Sequence, residues 1–221
     1  NQFGVAQPNI QKELSTNRLY IELPGVLDEN AVAEKLKSTA NLEFFETFMP
    51  NEISTKLTEI YEMSKQPSSP SANDAASQGL NTLIEDVGGF CIGMVSKKNK
   101  ELATRILERS DIKQALAEQN IRLMWGEKLE ELKAKGKKAK SGYYLYACEV
   151  PEGGEARVNG KHIARADQGY DKGKITVNLK MTDEGAIQWG DMTSENVGQI
   201  VAITMDNLVY SAPTVINPIR D

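Results

Sequence analysis

The chain has 221 residues, of which 40% are apolar, and it carries a net charge of −5. This length suffices for one large domain or two modest ones with a real core. The acidic excess leaves no basic surface to neutralise a run of phosphates, which argues against nucleic-acid binding. No stretch of about twenty apolar residues and no charged-then-apolar leader is present, so we expect a fragment that is soluble on its own, with both ends cut.

The first fifty residues predict two strands, a helix and a third strand. Pro8 to Leu14 and Arg18 to Leu23 alternate apolar and polar residues, and the turn chemistry of Ser15 to Asn17 indicates a hairpin between them. Asp28 is a candidate N-cap for the helix, because its carboxylate can accept from the first-turn N–H groups. Ala40 to Phe48 predicts the third strand.

The middle of the chain mixes helical spacing with short strand patterns. Ile53, Leu57 and Ile60 repeat at helical spacing in a segment that starts at Asn51. A Ser- and Pro-rich stretch from Gln66 to Ser71 predicts an exposed loop. Further on, the pattern predicts a strand at Gly88–Ser96, a helix at Lys98–Glu108, a short helix capped by Ser110 or Asp111 and running through Leu116, and antiparallel strands at Ile121–Trp125 and Tyr143–Val150.

The last fifty residues give the clearest local signals. Alternation at Ile175 to Leu179 predicts a half-buried strand, and Thr182 is the expected N-cap of the helix that follows. Ile200–Met205 and Leu208–Ala212 are predicted strands. Asp206-Asn207 between them tolerates the positive φ of a tight hairpin turn.

Residues typical of catalytic or metal chemistry are sparse. His162 is the one histidine, and Cys91 and Cys148 lack the paired spacing of a zinc site. Both cysteines sit in apolar runs, where burial keeps a thiol inert. Pairing between them stays open, although two buried thiols are favoured. We expect no metal, no cofactor and no catalytic residue.

The glycine-rich and lysine-rich stretches also lack the features of a phosphate-binding or nucleic-acid-binding site. Gly88-Gly89 and Gly93 lack the ending of a phosphate-binding loop, which favours a bend. The lysines from Lys133 to Lys140 have no aromatic residues among them to stack on bases, so they predict a solvated turn.

Two separated segments carry several short motifs in a fixed order. The first runs from Phe3 to Glu46 and the second from Lys174 to Ile219. The motifs are Phe3-Gly4-Val5 with Pro8, Glu22-Leu23-Pro24-Gly25 followed by Val26, Ala40-Asn41-Leu42-Glu43-Phe44, Gly185 followed by Thr193 and Asn196, and Asp206 before Ser211-Ala212-Pro213. Together they resemble the large extracytoplasmic domain of SecD, or of the fused SecDF protein, of the Sec translocation machinery.

The resemblance implies an α+β fold of two lobes. Residues 1–50 would form a small ferredoxin-like base lobe, incomplete in this chain, and residues 51–221 a larger head lobe with antiparallel strands. The head would include an insertion at about 51–142, where the sequence departs from the compact family pattern.

The resemblance also implies a function in protein export. The fragment would belong to an inner (plasma) membrane protein, face the periplasm or cell exterior, and hold unfolded preprotein during proton-motive-force-dependent translocation. Its partners would be SecF and the SecYEG translocon. Two alternatives remain, a static scaffold that braces the translocon and a cysteine hydrolase using Cys148 and His162.

Movement of head against base would require a hinge. Phe48, Met49, Pro50 and Asn51 are the candidate, because we expect Pro50 to end a strand where the pattern turns helical. An apolar groove or an open strand edge would suit an unfolded substrate. The sequence assigns no substrate-contacting residue.

Overall fold

The computed structural model describes residues 10–12, 18–22, 42–66, 79–127, 129–132, 140–171 and 174–219. The fold is α+β, as predicted. It divides into two compact units. We call residues 48–150 the inserted unit, and the described residues before Phe48 together with those after Val150 the composite unit.

The composite unit is built mainly of strands. Its elements are β1 (Ile10–Lys12), β2 (Arg18–Glu22), β3 (Leu42–Glu46), β9 (Val158–Asn159), a 3-10 turn (Gly160–His162), β10 (Ile163–Asp171), β11 (Lys174–Met181), α5 (Asp183–Glu195), β12 (Val201–Met205) and β13 (Leu208–Ser211). Those of the inserted unit are α1 (Pro50–Ser64), α2 (Leu80–Leu83), β4 (Ile84–Glu85), β5 (Gly93–Ser96), α3 (Lys100–Leu107), α4 (Ser110–Glu118), β6 (Ile121–Gly126), β7 (Glu130–Leu132) and β8 (Lys140–Glu149).

Helices of the inserted unit cover one face of its sheet. The strand order is β4-β5-β8-β6, and β7 also pairs with β8. The antiparallel pairing of β6 with β8, for example Ile121 opposite Glu149, confirms the predicted pair. Ile53, Leu57 and Ile60 of α1 are buried, as their spacing predicted, and pack in one cluster with Val95 and Leu145 of the sheet.

Two sets of strands enclose the core of the composite unit. One runs β1-β2-β11-β10, and the other runs β13-β12-β3-β9. Val177 and Leu179 of β11 share a buried cluster with Phe44 of β3 and Ile203 of β12. The ring of Trp189, on α5, meets Phe44 edge to face at 5.2 Å between centroids. Helix α5 is therefore held against strands from both ends of the chain.

The strand pairing of both predicted hairpins is confirmed, and the turn predicted at Ser15 to Asn17 lies outside the described residues. Ile10 lies opposite Ile21 in the β1–β2 pair. In the β12–β13 pair, Asp206 and Asn207 have φ of 50° and 61°, which are the left-handed values that a two-residue turn requires.

The two units contain different sets of residues from the predicted base, residues 1–50, and the predicted head, residues 51–221. Strand β2 pairs with β11, and β3 pairs with β12, so strands assigned to the base share sheets with strands assigned to the head. The change of pattern near Pro50 marks where the chain enters another unit. Periodicity could not show that it returns after Val150 to complete the earlier sheets.

Several local predictions need correction. The strand predicted at Gly88–Ser96 begins only at Gly93, because Gly88, Gly89 and Gly93 take φ of 68°, 87° and 152° and bend the chain. Neither Ser110 nor Asp111 caps a helix. The N-cap of α4 is Arg109, and Asp111 instead forms an ion pair with it at 2.6 Å.

Some elements of the structure have no counterpart among the sequence predictions, namely α2, β4, β7, β9 and β10. Most of them are too short to show periodicity.

Other predictions fall partly or wholly outside the described residues. The helix with Asp28 as its N-cap, residues 67–71 of the predicted loop and the lysines at 133–139 lie outside the described residues.

Candidate functional site: the two chain connections

Within the described residues, the chain passes between the two units twice. It leaves the composite unit between Thr47 and Phe48 and returns between Val150 and Pro151. The predicted hinge, Phe48 to Asn51, begins at the first of these connections. Any movement of one unit against the other must be accommodated at both.

Neighbouring residues at the first connection are anchored in different units. The Thr47 hydroxyl is buried and donates to the carbonyl of Ile200 at 2.9 Å, within the composite unit. The Phe48 N–H donates to the carbonyl of Ala147 at 2.9 Å, within the inserted unit. The Lys56 ammonium also lies 4.9 Å from the centre of the Phe48 ring. The ψ torsion of Thr47 and the φ torsion of Phe48 therefore lie between anchors in two different units.

Pro50 has a different role from the one predicted. Strand β3 already ends at Glu46, and Pro50 is the first residue of α1, where a missing N–H costs nothing and the fixed φ suits the helix. Met49 is the N-cap, and its N–H donates to Oε2 of Glu52 at 2.7 Å. Three of the four candidate hinge residues thus belong to the start of a helix. Their role as a hinge stays a prediction.

A pair of glycines makes the second connection a tight turn. Gly153 and Gly154 have φ of 100° and 82°, backbone values that residues other than glycine rarely adopt. The Gly154 N–H donates to the carbonyl of Pro151 at 3.0 Å. Upstream, the Val150 N–H donates to the carbonyl of Asn120 at 2.9 Å. Downstream, Ala156 is buried and Arg157 follows it.

A charged cluster within the composite unit links the segment that leads into the first connection with the segment that follows the second. Arg157 donates from Nη1 and Nη2 to the two carboxylate oxygens of Glu195, at 2.5 and 3.2 Å. Its Nη1 also lies 3.4 Å from Oε1 of Glu46, the residue that ends β3. Nδ2 of Asn196 donates to the same Glu46 oxygen at 2.8 Å. We call Glu46, Arg157, Glu195 and Asn196 the Arg157 cluster.

Electrostatics within the cluster favour the charged forms. The hydrogen bond and charge of Glu195 raise the pKa of the Arg157 guanidinium above its ordinary value. In return, the hydrogen bond from Arg157 lowers the pKa of the Glu195 carboxyl. The ion pair is therefore present at neutral pH, and acid would weaken it.

Motif residues around α5 have structural roles. The Thr182 hydroxyl accepts from the Gly185 N–H at 3.0 Å, which confirms the predicted N-cap. Thr193 is fully buried, and its hydroxyl accepts from the Ile219 N–H at 3.0 Å, which fixes the last described segment against the helix. A Cβ at Gly185 would lie 2.4 Å from the His162 carbonyl oxygen, so only glycine fits there.

Histidine and thiol chemistry has no support in the described residues. His162 is buried, and its Nδ1 accepts from the Asn159 N–H at 3.1 Å. Neither cysteine is in a disulfide and both are buried, which confirms the favoured interpretation of two buried thiols. Burial raises the pKa of Cys91 to about 11, and Cys148 is fully enclosed within β8. The Cys91 thiol therefore stays protonated at neutral pH.

Metal ligands and membrane spans were also sought in the described part of the chain. There, no group of three or more His, Cys, Asp or Glu side chains is arranged to hold a metal ion. None of its helices is long and apolar enough to cross a membrane.

Arg157 and its partners were missed from sequence. Glu46 and Glu195 lie 149 positions apart in the chain, and no periodicity links them to Arg157. Asn196 was noticed only as part of an ordered motif. Its hydrogen bond to Glu46 gives this motif residue a structural role, because it links the residue that follows α5 to the end of β3.

Comparison with known families adds a second line of evidence. The family described as SecDF, P1 head subdomain, matches residues 137–221, and the N-terminal part of the P1 domain of protein translocase subunit SecDF matches residues 1–47. Together these matches cover more than half of the chain. The residues between them, 48–136, make up most of the inserted unit.

Relatives align along nearly the whole chain. Protein translocase subunit SecD of Rhodothermus marinus is 29% identical over 97% of this chain and 37% of its own length. SecD of Anaeromyxobacter dehalogenans is 25% identical over 96% of this chain and 35% of its own length. The chain thus spans a little over a third of these relatives.

Two solved structures also align with most of the chain. A structure titled as that of a membrane component SecDF that enhances protein export is 21% identical, with a TM-score of 0.33 over 98% of this chain and 68% of that one. The crystal structure of SecDF in a super-membrane-facing form is 19% identical, with a TM-score of 0.33 over 98% of this chain and 20% of that one. The two family matches and the alignment with SecD show that this chain belongs to the SecD and SecDF family, as its P1 domain.

Proposed function

We propose that this chain is the part of a Sec accessory subunit that contacts unfolded polypeptide on the far side of the inner (plasma) membrane, facing the periplasm or cell exterior. The observation that carries the proposal is the pair of P1-domain matches, to the head subdomain and to the N-terminal part. Within the full-length protein, the partners would be SecF and the SecYEG translocon. The supply of energy from the proton motive force would lie in segments beyond this chain.

Binding of unfolded polypeptide should be weak and should use exposed apolar side chains. Among the described residues, the large hydrophobic side chains that are exposed are Leu129, Ile187, Val197 and Ile216. Ordering a flexible chain costs part of the contact energy, so each contact is brief. A factor that must release its substrate in every cycle benefits from such weakness.

Movement of the inserted unit against the composite unit is the proposed working step. Among the described residues, the chain crosses between the units at residues 47–48 and 150–151. The candidate hinge, Phe48 to Asn51, lies at the first crossing. A static scaffold remains the alternative, and it requires no such movement.

A photocrosslinking amino acid tests the binding proposal in the full-length protein. We expect a probe at Glu184, one helical turn from Ile187, which is 62% exposed on α5, to crosslink to a preprotein stalled in translocation about tenfold more when Ile187 is present than in an Ile187→Asp background. The difference is expected because an apolar side chain contacts unfolded chain more often than a hydrated carboxylate does. Crosslinking should disappear when no preprotein is being exported.

Val197, Ile216 and Leu129 extend the same experiment to the other exposed apolar positions. If replacing none of the four side chains with aspartate lowers crosslinking from a neighbouring probe, the chain does not hold preprotein through its described apolar surface. The binding proposal would then fail, whether or not the units move.

A further inference from the structure

We propose that Arg157 acts as a clamp that fixes both chain connections to the composite unit and so limits movement of the inserted unit. The inference rests on the proposed movement, but its physical basis lies wholly within the composite unit. Glu46 lies two residues before Phe48, where the chain leaves. Arg157 lies six residues after Pro151, where the chain returns. Arg157 lies on the segment that follows the return of the chain, and its guanidinium contacts Glu46 on the segment through which the chain leaves.

The geometry suits a clamp between three segments. The bidentate pair with Glu195 ties Arg157 to the last turn of α5. Its Nη1 reaches Oε1 of Glu46 at the end of β3. Asn196 completes the arrangement, because its Nδ2 donates both to Glu46 and to the carbonyl of Met192 at 2.8 Å. Planar, two-pronged contacts of this kind fix orientation as well as distance.

Partial burial makes the contact with Glu46 stronger than an ordinary surface pair. The side chains of Arg157 and Glu46 are 26% and 17% exposed, whereas Glu195 is 60% exposed. Water screens the Glu195 pair more than the Glu46 contact. The bidentate Glu195 pair is the shorter contact, and the less screened Glu46 contact connects it to the segment that leads directly to Phe48.

Other contacts also hold these connections, among them the pairing of Phe44 in β3 with the buried Val158 in β9. Thr47 is held by its hydroxyl bond to Ile200, and the return segment has the Gly154 turn bond and the buried Ala156. The core around Phe44 and Trp189 does not include Arg157. Removing the guanidinium should therefore loosen the connections while the fold of the composite unit persists.

Hydrogen exchange of the 221-residue chain tests the clamp without any translocation assay. In Arg157→Gln, we expect amides at residues 44–49 and 152–158 to exchange about five to tenfold faster than in the parent chain. Arg165→Gln is the matched control, because Arg165 is a surface arginine of the same unit that pairs with Asp167 at 2.7 Å. That control should leave both segments unchanged.

Two further readouts separate a clamp from a general stabiliser. Arg157→Lys keeps a charge for Glu195 and should recover part of the protection. The melting temperature of the composite unit, followed by Trp189 emission in a Trp125→Phe background, should fall by no more than about 3 °C in Arg157→Gln. Equal exchange in Arg157→Gln and Arg165→Gln would overturn the proposal. So would faster exchange spread evenly over β11 and β12, which would show a purely structural role.

Discussion

Replacing Phe44 with alanine should destabilise the composite unit by about 3–5 kcal/mol and leave the inserted unit nearly unchanged. Phe44 is fully buried, and its ring packs edge to face on Trp189. Its strand, β3, pairs with β12 from the far end of the sequence. The lost contacts and the cavity would therefore act on residues 151–219 as much as on the strand itself.

The two tryptophans allow each unit to be followed separately. The chain has two, with Trp125 in the inserted unit and Trp189 in the composite unit. Urea unfolding of Phe44→Ala should shift the Trp189 transition in a Trp125→Phe background and leave the Trp125 transition in place in a Trp189→Phe background. Two probes are needed because a chain of two units need not unfold in one step.

Leu57→Ala provides the matched control in the other unit. Leu57 is 4% exposed in the cluster under the helices, so its loss should cost about 2–5 kcal/mol and shift the Trp125 transition. If Phe44→Ala left the Trp189 transition unmoved, β3 would not belong to the core of the composite unit. The predicted base of residues 1–50 would then be the better description.

Gly185→Ala should destabilise the composite unit by about 1–3 kcal/mol, even though alanine is the better helix former. The added Cβ would lie 2.4 Å from the His162 carbonyl oxygen and 2.8 Å from the His162 Cβ. Backbone atoms cannot rotate away, and the same carbonyl accepts from the Thr182 N–H at 2.9 Å. Urea unfolding monitored at Trp189 would measure the loss.

Gly126→Ala is the control for the substitution itself. Its nearest neighbours would be 3.6 Å from the new Cβ, an ordinary van der Waals contact, so stability should change by no more than about 0.5 kcal/mol. A Gly185→Ala chain as stable as the parent would show that α5 can move away from the 3-10 turn. The close packing described above would then be wrong.

Local chemistry allowed much of the fold to be predicted from sequence. The Asp206-Asn207 turn, the Thr182 cap and the spacing of Ile53, Leu57 and Ile60 each depend on residues close together in the chain. Such signals act over a few residues, and the structure confirms them. Pro50 shows the limit, since the same residue can follow a strand or begin a helix, and only the neighbouring Met49 and Glu52 decide.

Long-range pairing could not be predicted from the same patterns. Nothing in the alternation of β3 shows that it pairs with β12, about 160 residues later. The ordered motifs indicated the family, yet they did not show that Asn196 binds Glu46 or that Arg157 joins them. Contacts of this kind depend on which strands meet, and single-sequence periodicity carries no information on that choice.

The measurement that tests the central claim most directly is translocation by the full-length protein with its two units reversibly locked. One cysteine introduced in residues 48–150 and one in residues 151–219 would be joined by a short reducible crosslinker, while the native thiols stay buried. Each single-cysteine variant treated in the same way is the control. If movement at the two connections drives export, the locked protein should lose proton-motive-force-dependent translocation support and regain it on reduction. A locked protein that works as well as its reduced form would contradict the account and favour a static scaffold.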